Sequence, residues 1–99
     1  MIVEVDTEQQ TARLTDASVF TAFHVAAAGG DTAAVLSALG AAGAAVDDDH
    51  VWVAVAAVRA WADGDADWEA NFAAMLGYAA TKGWLNDDES MIQAHIEWA

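Results

Sequence analysis

The chain has no cysteine and no proline, and its 99 residues include only three strong bases, Arg13, Arg59 and Lys82. Without cysteine there is no disulfide, no thiolate nucleophile and no cysteine-ligated zinc or iron–sulfur centre. Without proline there is no rigid linker and no polyproline ligand segment. The shortage of basic residues excludes more. Sixteen carboxylates against those three bases give a formal charge of −13. Nucleic-acid binding by phosphate neutralisation needs clustered Lys and Arg, and an anionic membrane surface repels such a chain for the same reason. Neither is expected as a direct ligand. The acidity suits a basic partner or a cation, and it also keeps a small protein dissolved.

A long uninterrupted hydrophobic run is missing as well. Ala17 to Val46 is apolar on average, but it carries His24 and Asp31 and is broken by four glycines, whereas a membrane span needs about 20 predominantly apolar residues. Met1 to Asp6 lacks the basic start and apolar stretch of a secretory signal, so the expected compartment is the cytoplasm. The length predicts a single acidic domain over residues 1–99.

What is present is apolar mass for one modest core, 57% of residues. Much of it is alanine, so the larger side chains mark the interior. Ile2 to Asp6 alternates apolar residues with acids and reads as a short strand; Thr7–Gln10 is a polar turn, and Thr11–Thr15 completes a hairpin. Asp16 then reads as the N-cap of a helix carrying Val19, Phe20, Phe23 and Ala27, stopped by Gly29-Gly30. Asp31 caps a second helix with Val35, Leu36 and Leu39, closed by Gly40, and Gly40–Val46 reads as a loop. Asp47-Asp48-Asp49 precedes a third helix striped by Val51, Val55, Val58 and Ala62. After the Asp63-Gly64-Asp65 break, a fourth helix shows Trp68, Phe72, Met75, Leu76 and Ala79, with Lys82 in its last turn and Gly83 beyond it. Ile92 to Trp98 alternates strictly, the period of a strand with one buried face. The expected fold class is therefore α+β, with about four short helices packed on a small antiparallel sheet formed by the N-terminal strand or strands and the C-terminal strand.

The chemistry-bearing residues are few. Asp63, Asp65 and Asp67 have the spacing of the first calcium ligands of an EF-hand. Trp68 stands where that loop needs glycine and Ala74 where it needs a bidentate acid, which removes the motif and leaves three candidate metal ligands on a surface turn. His24, His50 and His95 fall in separate elements, with no His-Glu-x-x-His pattern, and no cofactor is expected. No Gly-x-Ser-x-Gly elbow and no glycine-rich phosphate loop is present. His95 is the candidate catalytic residue, set between Gln93 and Glu97 on the polar face of the last strand, where a carboxylate can tune an imidazole. Trp52 and Arg59 are the candidate binding residues, placed together on a helix face away from the valine stripe, because tryptophan is enriched at interaction hot spots.

These features support three readings. The first is a small acidic protein-interaction module without catalytic activity, docking a protein partner or itself through Trp52 and Arg59. The second is a small-ligand-binding protein or small enzyme using His95 and a neighbouring carboxylate. The third is a nucleic-acid mimic that offers its aspartates to a basic groove.

Overall fold

The computed structural model describes residues 1–98. The chain opens with the expected hairpin, β1 (Ile2–Asp6) and β2 (Thr11–Thr15), in register from Ile2–Thr15 to Asp6–Thr11. Asp6 sets the turn, its Oδ1 accepting the backbone N–H groups of Glu8 at 3.0 Å and Gln9 at 2.9 Å, a short polar side chain standing in for backbone.

The next segment departs from the expectation. Residues 16–23 form turns, not a helix, and His24–Ala27 is a strand, β3. Alanine-rich composition favours a helix, but local propensity is a weak prior that tertiary contacts override. Val25 and Ala27 are buried against the core from the middle of a sheet. The preceding loop is pinned by the Met1 amino group, which donates to the carbonyls of Val19 at 3.0 Å and Ala22 at 2.9 Å. Burial pushes that amine below its ordinary pKa, while Asp16 opposes the shift.

Helix α1 (Thr32–Leu39) follows as expected, with the Asp31 carboxylate accepting the Ala34 N–H at 2.9 Å and Gly40 ending it at φ 57°. The expected loop after it contains one 3₁₀ turn and the edge strand β4 (Gly43–Ala45). The third expected helix is half strand: β5 spans His50–Ala54 and α2 only Val55–Ala62. Val51, Val55 and Val58 do share helical spacing, but His50-Val51-Trp52-Val53 also alternates with period two. Its branched and aromatic side chains fit a pleated surface better, and Val51 and Val53 are fully buried. Helix α3 (Ala66–Thr81) is the long fourth helix of the expectation, capped by Asp65, which accepts the Trp68 N–H at 2.9 Å. The last strand, β6 (Met91–Trp98), buries Ile92, Ala94 and Ile96.

The expectation of four helices on a small antiparallel sheet is therefore wrong. Among the described residues, three helices accompany one curled, mixed, six-stranded sheet of order β2-β1-β3-β6-β5-β4. The terminal strands do not pair with each other. β3 lies between β1 and β6 and runs parallel to both, while β5 lies antiparallel on the other side of β6. A single hydrophobic cluster fills the curl. It joins Val3, Val25, Val51, Val53 and Ile96 of the sheet to Val35 and Leu39 of α1, Val58 of α2, and Phe72 and Ala79 of α3. Among the described residues no helix is long and apolar enough to cross a membrane.

Candidate functional site

The sheet register brings three histidines into one row. His24 of β3 is the parallel partner of His95 of β6, and His95 is the antiparallel partner of His50 of β5. Side chains alternate across a strand. The immediate neighbours Val25, Val51, Ala94 and Ile96 are buried in the core, so all three imidazoles stand on the opposite face. Adjacent strands lie about 4.8 Å apart, and the rings of His50 and His95 have centroids 5.8 Å apart at 40° to each other.

This row opens onto a cleft of about 510 Å³. Its walls are Phe20 and Phe23 from the loop ahead of β3, Met75 and Tyr78 from α3, and Trp84 from the turn after α3, with Gln93 and Glu97 beside the histidines. Tyr78 and Trp84 meet edge to face at 6.0 Å, both well exposed, and the Lys82 ammonium sits 5.5 Å from the Tyr78 ring centroid. Two hydrogen bonds place these walls. Trp68 Nε1 donates to the Ala17 carbonyl at 2.7 Å, tying the loop to α3, and the Gln93 N–H donates to the Trp84 carbonyl at 2.7 Å. Among the described residues no Lys or Arg lines the cleft, and Glu97 is its one carboxylate.

Two of the three rings are held by carboxylates. His24 Nε2 lies 3.1 Å from Glu97 Oε2, and His50 Nδ1 lies 2.9 Å from Asp47 Oδ1. A carboxylate only accepts hydrogen bonds. His50 must therefore carry its proton on Nδ1, leaving the Nε2 lone pair free in the neutral ring, whereas the His24–Glu97 contact is an ion pair only when the His24 ring is protonated. The hydrogen bond from His50, then that from the Asp49 N–H, holds the Asp47 carboxyl below the usual carboxylate range. The sheet in turn fixes this segment, since Asp47 N–H donates to the His50 carbonyl at 3.2 Å and Ile96 N–H to the Asp49 carbonyl at 2.7 Å. Among the described residues the His95 ring has no hydrogen-bond or ion-pair partner.

The residues singled out from sequence are distributed as follows. His95 lies at the centre of the row, but Glu97, two residues on, turns to His24 and not to His95. Trp52 and Arg59 occupy different elements. Trp52 is on β5 beside Gln93 and Ala44, whereas Arg59 is on α2, with its Nε donating to Glu69 at 3.1 Å and its guanidinium 5.3 Å from the centroid of the Phe72 ring. The expected shared helix face does not exist, because the helix begins only at Val55. Asp63 ends α2 in the left-handed region at φ 45°, Asp65 caps α3, and Asp67 lies in the first turn of α3. Among the described residues no three His, Cys, Asp or Glu side chains are gathered to hold an ion between them. Sequence reasoning missed the parts played by His24 and His50. For His50 the signal in the sequence is the run His50-Val51-Trp52-Val53, which alternates into the core and puts the imidazole on the polar face, whereas His24 is followed by Val25-Ala26-Ala27, which carries no such alternation. The chain matches no protein-family model, no curated protein and no solved structure.

Proposed function

We propose that this domain binds a small organic molecule in the cleft, with the histidine row supplying hydrogen bonds and the aromatic walls supplying apolar contact. The observation that carries this reading is the row itself: three imidazoles from three strands, in register, open onto one concave space. Ligand sites are concave and set a few convergent polar groups among apolar walls, and this cleft sets its histidines, Gln93 and Glu97 against the aromatic walls of Phe20, Phe23, Tyr78 and Trp84. Its lining without Lys or Arg among the described residues, on a chain of formal charge −13, disfavours an anionic ligand and suits a neutral or amine-bearing one. The exposed Trp84 ring, edge to face with Tyr78, offers a face that attracts a cation, while the Lys82 ammonium already sits by the Tyr78 ring. The reading as an interaction module loses its motivating feature, since Trp52 and Arg59 lie on a strand and a helix. A cytoplasmic location belongs to the same proposal. So small a secreted domain is usually stapled by disulfides, and this one relies on its apolar core.

The test is a screen of neutral and amine-bearing aromatic fragments, followed through the NMR signals of the three imidazoles and the Trp84 indole. Hits should shift these signals together and lose affinity in Tyr78→Ala and His95→Ala. Hits that move only resonances outside the cleft, or no hit at millimolar concentration, would reject the reading.

A further inference from the structure

The His50–His95 pair carries a second consequence, independent of any organic ligand. Metal-binding histidines usually donate their other ring N–H to a carboxylate or carbonyl, which fixes the tautomer and aims the remaining lone pair. His50 has this arrangement already: Asp47 Oδ1 receives Nδ1–H at 2.9 Å, and Asp47 is itself held by the Asp49 N–H at 2.9 Å. The free Nε2 belongs to a ring whose centroid is 5.8 Å from that of His95, a ring with no partner among the described residues. With metal–nitrogen bonds of about 2.1 Å, two imidazoles on one ion have centroids roughly 5–6 Å apart. The rings stand on paired strands of one sheet, so their backbone separation is rigid. The surrounding charge of −13 attracts a divalent cation.

We propose that His50 and His95 bind one borderline divalent transition-metal ion of the zinc, nickel or copper class, with Asp47 positioning the His50 ring and water filling the remaining positions. Imidazole selects such ions over magnesium and calcium, which prefer oxygen. Two protein ligands make this an open site of moderate affinity, not a closed structural one. Asp47 is a positioning residue and touches no metal.

The experiment is calorimetric titration of the full chain with Zn²⁺ at slightly alkaline pH, in a millimolar excess of Mg²⁺ that saturates the acidic surface. One equivalent should bind, and the imidazole signals of His50 and His95 should shift together. His50→Ala and His95→Ala should each remove binding at micromolar zinc, and Asp47→Asn should weaken it by roughly 10-fold or more. Asp67→Asn should leave it unchanged. Circular dichroism of each variant establishes that it is folded, which is expected because both rings face away from the core. Failure to bind zinc in magnesium, persistence of binding in the double variant His50→Ala/His95→Ala, or loss of binding in Asp67→Asn would overturn the assignment. None of these outcomes bears on the fragment screen, which contains no metal.

Discussion

Removing the Phe72 ring should separate α3 from the sheet and take one wall of the cleft with it. Phe72 is fully buried, stacked on Trp68 with centroids 4.8 Å apart at 22°, and covered by the Arg59 guanidinium. Phe72 and Ala79 are the buried side chains of α3, so the helix docks chiefly through this ring. Phe→Ala in a core costs about 3–5 kcal/mol, combining lost transfer energy with the cavity left behind. A domain of this length has roughly 5–15 kcal/mol in total. At a urea slope of about 1–3 kcal/mol per molar, a loss near 4 kcal/mol moves the unfolding midpoint down by roughly 2 M. The melting temperature should fall by roughly 15–30 °C. Far-UV circular dichroism under urea and heat is the assay, with Tyr78→Ala on the exposed side of the same helix as the comparison. That variant should change stability by no more than roughly 1 kcal/mol, since surface substitutions away from special features have small effects. If Phe72→Ala costs less than about 1 kcal/mol, or no more than Tyr78→Ala, then α3 is not anchored as described and the cleft loses its wall.

Two glycines should respond to alanine with opposite signs. A Cβ at Gly64 would stand 2.5 Å from Trp68 Cγ and 2.6 Å from Trp68 Cβ, so Gly64→Ala should destabilise by about 1–3 kcal/mol through overpacking at the α2–α3 junction. Gly77 lies inside α3, and a Cβ there would meet nothing within 4 Å, so Gly77→Ala should stabilise by roughly 0.8–1 kcal/mol from helix propensity alone. Urea unfolding of both variants checks the pair. The Asp47–His50 contact predicts an acid-side loss of stability. A carboxylate whose pKa is lowered on folding contributes stability above its unfolded pKa, and that contribution disappears as pH falls through the lower folded value. In Asp47→Asn the stability–pH curve should be flatter in that acidic window, and an unchanged acid limb would remove the contact from the energetics.

How much of the fold is legible in the sequence depends on whether the governing signal is local. Asp31, Asp65, Gly40 and Gly83 announce helix ends because capping is satisfied within a few residues, and the structure places α1 and α3 between them. The polar turn Thr7–Gln10 and the alternation of Ile2–Asp6 and Ile92–Trp98 are equally local, as is the charge that disfavours polyanions. The segments that mislead are those in which two periods fit the same residues. Val51, Val55 and Val58 suit a helix, while His50 to Val53 suits a strand. The choice falls to β6, which reaches Val51 and Val53 from the far end of the chain and pairs them with Ala94 and Ile92. His24–Ala27 could not be read as a strand, because its parallel neighbours β1 and β6 come from opposite ends of the chain. The histidine row depends on the pairing of β6 with both β3 and β5. The amino-acid order alone therefore determined the ends of α1 and α3, the hairpin, the acidity and the absence of thiol chemistry. Tertiary structure alone decided that His24, His50 and His95 share one face, because strand register is set by long-range hydrogen bonding and core burial.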